Sequence, residues 1–121
     1  MSLLDDLGIE VVEKGKHKVV LEMDLTAEQL AKKQDQNDIK ALLSETAASI
    51  GANLNMDPTS AAKVLTVSIH NLNALKAGRL VVEAISIRNG DNVQTWQAVT
   101  HFSDSAITNS LSTVTLKKIQ I

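Results

Sequence analysis

The sequence predicts an α+β fold, with one long helix laid against an antiparallel sheet of about five to six strands. Three observations carry this expectation. Apolar residues recur at spacings of three and four over residues 37–54, the period of a helix with one buried side. From Leu65 the period falls to two: Leu65, Val67 and Ile69 alternate with Thr66, Ser68 and His70, as in a half-buried strand. Short turn signals, above all Asn89-Gly90, separate the later apolar runs, and connections of that length favour antiparallel neighbours.

The elements follow in order. "SLLDDLG" reads as a short helical turn closed by Gly8. "IEVVEKG" and "KHKVVLEMDL" are rich in β-branched residues and divided by Gly15-Lys16, the pattern of a hairpin. Thr26, with Gln29 three residues on, is a capping box that opens a short polar helix in "TAEQLAKKQDQ". The long helix follows, with Asn37 or Asp38 expected as its N-cap and Pro58 beyond its end. "KVLTVSIHNLNAL" is the next strand; Ala77-Gly78 turns into "RLVVEAISIR", and Asn89-Gly90 leads to "VQTWQAVTHFSD". A loop near Asp104-Ser105 precedes the last strand, "SLSTVTLKKI". About four sequential antiparallel strands should therefore follow the helix. No repeat or linker interrupts the chain, so residues 1–121 are expected to form a single domain.

Composition excludes several function classes. A net charge of -2, scattered basic residues and only two aromatics, Trp96 and Phe102, give nucleic acid nothing to bind or stack on. Without cysteine there are no disulfides and no zinc–thiolate centre, and His17, His70 and His101 match no metal-ligand spacing. No metal or cofactor is expected. The start lacks a basic segment followed by an apolar core, and no apolar run reaches the ~20 residues of a membrane span. A cytoplasmic protein with no membrane partner is the expectation, and its core must be almost wholly aliphatic.

The long helix holds the main candidate. Ile39, Leu42, Leu43, Thr46, Ile50 and Leu54 share one broad side, which should pack on the sheet. Ala41, Glu45, Ala48, Ser49 and Ala52 share another, which is small rather than charged. Small residues permit close approach by a backbone, a subunit or a ligand. Glu45 stands in the middle of that approach, with Ser49 one turn later. It is either a solvated helix residue or a carboxylate held in a slot as base or nucleophile.

"LLSETAASIGANL" resembles the helix of hotdog-fold acyl-CoA thioesterases, commonly "LAETAASxAA", and is the most specific piece of a resemblance covering nearly the whole chain. "LLDDLGIEVVEKGKHKVVLEMDL" is similar to that family's opening hairpin, "IHNLNALKAGRL" to its "INFLRPAxxGRL" strand and turn, and "IRNGDNVQTWQAVTHFSD" to its next hairpin. The likeness is to the phenylacetate-pathway and 4-hydroxybenzoyl-CoA thioesterase-like branch. It implies a helix wrapped by a curved sheet, and two subunits paired edge to edge with active sites at their interface. Dimers of this kind often pair again into a homotetramer. It implies an acyl-CoA substrate, Glu45 as the catalytic carboxylate and Ser49 as its neighbour. The carbonyl would be polarised by a backbone N–H at Asn37.

The departures from the family pattern are as specific as the matches. The family's usual His-Gly-Gly before the helix is replaced by Gln36-Asn37-Asp38. Asn37 keeps an N–H, and the helix N-terminus keeps its partial positive charge. Gln36 can act as neither acid nor base, and Asp38 brings a negative charge close to a developing oxyanion. His70 stands at the usual Asn of the strand. Gln36, Asp38, His70 and Arg88 are the expected substrate-binding residues, and Lys76, Arg79, Lys117 and Lys118 the further cations for the nucleotide of CoA. Two functions follow. The chain hydrolyses an acyl-CoA with Glu45 as nucleophile or general base, or it binds such a ligand with little turnover.

Overall fold

A computed structural model describes residues 8–31 and 36–121, with the backbone only for Gln36 and Asn37. Among the described residues, six strands and two helices run in the order β1 Ile9–Lys14, β2 Lys18–Leu25, α1 Ala27–Leu30, α2 Gln36–Leu54, β3 Ser60–Asn71, β4 Gly78–Asn89, β5 Val93–Phe102 and β6 Thr108–Gln120. The strands form one antiparallel sheet in the order β1-β2-β4-β5-β6-β3. The expected α+β class with one dominant helix is the observed one. The opening turn expected in "SLLDDLG" lies outside the described residues, apart from Gly8, whose φ of 73° is in the left-handed region.

The capping box at Thr26 forms as expected, the hydroxyl accepting from the Gln29 N–H while the Gln29 side chain accepts from the Thr26 N–H. Two other expectations are corrected. The long helix already includes Gln36, so Asn37 and Asp38 lie in its first turn rather than at its cap. Strand β3 is not the hairpin neighbour of β4. Residues 72–77 cross the end of the sheet and leave β3 on the far edge, paired with β6, while β4 lies between β2 and β5. A connection of hairpin length is compatible with this because the link spans strand ends and not strand faces.

Four of the five strand pairs contain a register shift: near Val11, Val64, Ser86 and Thr100. A shift of this kind adds a residue to one strand, bends it and strengthens its twist, which suits a sheet curling round a helix. The inner face carries Val19, Leu21, Met23, Leu80, Val82, Ala84, Trp96, Ala98, Val114 and Leu116, all buried. At the free edge of β3, the Asn53 amide of α2 accepts from the Ala62 N–H and approaches the Ala62 carbonyl, covering one stretch of unpaired backbone.

The side of α2 that meets the sheet is turned from the predicted apolar side toward the small-residue stripe: Leu43 is shared by both, and Ile39 and Ile50 pack at the margin of the core. Lys40, Leu43, Ser44, Ala47, Ala48, Gly51 and Ala52 are buried, whereas Ile39, Thr46, Ile50 and Leu54 are partly covered and Leu42 is 39% exposed. The reason is Trp96, the largest fully buried side chain. A Cβ at Gly51 would fall inside the Trp96 indole. Only a small-residue stripe lets the helix axis come close enough to close over that ring. Trp96 is held in turn through Gln94, which accepts from the indole N–H at 3.0 Å and donates to the Ala52 carbonyl at 3.1 Å.

Candidate active site

Glu45 occupies the middle of α2 on the flank between its buried and exposed sides. It is half-buried, and among the described residues it forms no hydrogen bond and no ion pair. Asp38, Leu42, Glu45 and Ser49 are spaced four, three and four apart, so they form one stripe along that flank. Asp38 and Leu42 are exposed, Glu45 and Ser49 half-buried. Glu45 and Ser49 are thus brought together, one turn apart, each partly open to solvent. The two alternatives for Glu45 merge: it is neither sealed in the core nor swept by solvent on all sides.

At the helix start, the first four N–H groups of any helix lack intrahelical acceptors. Asn37 is the second residue of α2, so its amide is such a donor. Gln36 and Asn37 are placed only as backbone, in that same first turn. Asp38 follows them with its side chain exposed. An acidic residue in a first turn is favourable to the helix dipole, which gives Asp38 a sufficient structural reason to be there.

The remaining sequence candidates lie elsewhere. His70 is exposed on β3 opposite Leu111, in the row Val20, Glu83, Val99, Leu111 that lines the outer face of the sheet. Within one chain it points away from the helix. Arg88 is exposed at the far end of β4, where it lines a cleft of ≈ 440 Å³ with Asp91, Asn92, Val93 and Thr95. Beside it, Asn55, Asp57, Asn89, Asp91 and Lys118 line a polar cleft of ≈ 370 Å³ beyond the C-terminal end of α2. Hydrogen bonds from Thr59 and Ser60 hold the Asp57 carboxyl well below the usual carboxylate range. No group of three metal-ligating side chains occurs among the described residues.

The cations proposed for a nucleotide are unequally available. Arg79 is enclosed by carboxylates, its guanidinium bonded to Glu22 at 2.6 Å, to Asp24 at 3.2 Å and to Glu10. Lys118 pairs with Asp57 at 3.3 Å, and Lys76 lies 5.2 Å from the centre of the Phe102 ring. Arg88 and Lys117 form no ion pair with any described residue. On the same outer face His101 faces two acceptors, the Phe102 carbonyl at 2.9 Å from Nδ1 and the Glu83 carboxylate at 3.0 Å from Nε2. A neutral ring donates to only one of them. Burial opposes the charge, but these partners outweigh it and raise the His101 pKa above its ordinary value.

A buried polar seam escaped the sequence reading. Lys40, 2% exposed, donates from Nζ to the Asn73 carbonyl at 2.6 Å and reaches the Asn109 carbonyl at 3.5 Å. Ser44 donates to the Lys40 carbonyl at 2.8 Å, and Ser112 of β6 donates to Ser44 at 3.2 Å. Thr100 and Ser110 bond to each other nearby, both fully buried. The available signal was spacing: Lys40 stands four residues before Ser44 and seven before Ala47, in line with the small stripe and not with the solvated side.

Comparison with known proteins agrees with this architecture. No protein-family model matches the chain. A 1,4-dihydroxy-2-naphthoyl-CoA hydrolase of Listeria monocytogenes is 28% identical over 125 residues, spanning 98% of each chain. Among solved structures, a thioesterase from Haemophilus influenzae superposes with a TM-score of 0.85 at 21% identity, covering 98% of this chain and 83% of the other. A variant of a phenylacetic acid degradation protein from Thermus thermophilus gives 0.80 at 17% identity, covering 94% and 96%.

Proposed function

We propose that this chain, a member of the hotdog-fold thioesterase superfamily by its fold and full-length sequence similarity, hydrolyses an acyl-CoA thioester to the free acid and CoA. The observation that carries the reading is Glu45, a half-buried carboxylate on the flank of α2 with no partner among the described residues. In this reading the thioester carbonyl lies against the Asn37 N–H, where a free amide and the helix dipole favour the developing oxyanion. As general base, Glu45 takes a proton from a water whose oxygen adds to the carbonyl carbon. The tetrahedral intermediate then collapses, breaking the C–S bond, and CoA leaves as a thiolate that takes up the proton. As nucleophile, Glu45 adds to the carbonyl carbon and expels CoA thiolate as the C–S bond breaks; water then opens the resulting mixed anhydride to the free acid and the Glu45 carboxylate, and the thiolate takes up the proton released. Ser49 holds the carboxylate or the water.

The same reading treats residues 1–121 as one hotdog domain in the cytoplasm, working as a homodimer paired into a homotetramer. A second subunit laid along the helix flank would complete the walls that Glu45 and Ser49 lack. Gln36, Asp38, His70 and Arg88 would contact substrate in that assembly, and no cofactor is required.

The test is thiol release from short, medium, long-chain and aromatic acyl-CoAs by wild type and Glu45→Ala. The expected result is turnover of at least one substrate, falling about 10²–10⁴-fold in kcat in the variant, while stability stays within about 0.5 kcal/mol. Turnover untouched by the substitution would remove Glu45 from the mechanism. The second reading, binding with little turnover, is favoured by the negative charge of Asp38 in the first turn. Acyl-CoA binding by wild type without thiol release would select it.

A further inference from the structure

Lys40 is the one buried amine of the described residues that the mechanism leaves unused. A cation taken out of water with no carboxylate beside it is unfavourable unless its donors are satisfied. Among the described residues two backbone carbonyls accept from it: that of Asn73 in the link between β3 and β4, and that of Asn109 at the head of β6. The same link is anchored further by the Leu72 and Asn73 N–H groups, which donate to the Asn109 carbonyl. Asn109, itself 4% exposed, leaves its Nδ2 unpartnered at this corner. Within the first two turns of α2, Lys40 is the only described side chain hydrogen-bonded to the sheet or its links. It lies three residues after Asn37, on the same side of the helix and one turn above that amide, and five before Glu45.

From this geometry we infer that Lys40 is a positioning residue for thioester hydrolysis: its ammonium ties the first turns of α2 to the sheet end and so fixes the Asn37 amide relative to Glu45. The inference rests on the hydrolase reading of the site. It assigns to this lysine the placing of a donor that the Gln36-Asn37-Asp38 sequence must supply without flexible glycines. The expected pKa of the amine agrees, since burial lowers it, the cost of holding a cation there for its geometry. A site loosened by about 1 Å loses on the order of 10²-fold in rate.

The experiment separates charge, shape and folding, and it uses the absence of cysteine from the chain. Lys40→Cys is alkylated while unfolded, either with 2-bromoethylamine, which rebuilds an ammonium of similar reach, or with 1-bromopropane, which rebuilds only the shape. Both are refolded and compared with wild type, Lys40→Met and Lys40→Arg for kcat, KM and melting temperature, on the acyl-CoA that wild type turns over fastest. The expected result is a kcat lowered about 30- to 100-fold in the propylated protein and in Lys40→Met, with KM within about threefold, and recovery to within a few-fold in the aminoethylated protein. If the uncharged forms do not fold, Lys40→Arg decides: it keeps the charge but lengthens the arm, and kcat should fall at least about tenfold at constant KM. Folded Lys40→Met with wild-type kcat, an aminoethylated protein no better than the propylated one, or an unaltered Lys40→Arg when the uncharged forms are lost would each overturn the inference. No thiol release by wild type would overturn the hydrolase reading and this inference with it.

Discussion

The two sides of α2 differ in how side-chain size goes with burial. The side against the sheet carries Leu43, Ser44, Ala47, Ala48, Gly51 and Ala52, together with a lysine, and is closed. The outward flank carries Asp38, Leu42, Glu45 and Ser49, and is open. Size decides the first and vacancy the second. The curled sheet brings Trp96 so close to the axis that larger side chains have no room, whereas Leu42, on the outward flank, stays 39% exposed. A flank bearing a half-buried carboxylate is what a site shared with a ligand or a second subunit requires, and a closed small-residue side gives it a rigid back.

Substitutions on the closed side should act on stability, in proportion to the volume they disturb. The largest effect is expected from Trp96→Ala, which empties the space under Gly51 and Ala52 and should cost about 3–5 kcal/mol in urea unfolding. A loss under about 1 kcal/mol would mean the helix and sheet collapse to refill it. Gly51→Ala reverses the disturbance, driving a methyl into the indole ring; about 1–3 kcal/mol is expected. Equal stability to wild type would show that the helix can ride outward and that close approach is not what selects small residues here. By contrast, Glu45→Ala on the open flank should leave the unfolding curve in place while removing activity.

The smallest effect belongs to the outer face of the sheet. The His101 pKa is raised in the folded chain, so its bonds to Glu83 and Phe102 contribute stability below the ordinary histidine value of ~6.5. That stability is lost as pH rises through the higher folded value. Lys18, 3.9 Å from Glu83, is the other charge on this group. Melting temperature should therefore decline between about pH 6 and pH 8 in wild type, and decline less in His101→Gln. Parallel profiles would show that folding leaves the pKa of the ring unshifted.

Much of the fold was legible because local chemistry agreed with it. The capping box at Thr26, the hairpin at Gly15-Lys16, the turn at Asn89-Gly90 and the alternation of β5 are all decided by residues a few positions apart. What failed was decided at long range. The place of β3 depends on a partner, β6, that follows it by two intervening strands, and nothing in residues 72–77 announces that pairing. The buried side of α2 depends on Trp96, more than forty positions on. Lys40 was passed over for the same reason: lysine is almost always solvated, and the carbonyls that satisfy it are set by the β3–β4 crossing. For the site, the family-like word "LLSETAASIGANL" singled out Glu45 and Ser49, and the structure puts them on one flank, one turn apart. It does not bring His70 or Arg88 to that flank within one chain.

The late arrival of β6 bears on how the protein is made. Ser60 finds its partner in Gln120 and His70 in Leu111, so the edge carrying β3 has no strand to join until residues 108–120 have left the ribosome. The hairpins β1–β2 and β4–β5 close over short distances and are free to form during synthesis, with helix α2 already available to lie on them. Pairings of such separation in sequence are slow, because loop closure precedes any reward from contact. Until Thr108–Gln120 emerges, β3 is an unprotected strand with Leu65 exposed beside it, the kind of surface on which nascent chains aggregate. The strand made last is therefore the one that protects a strand made much earlier.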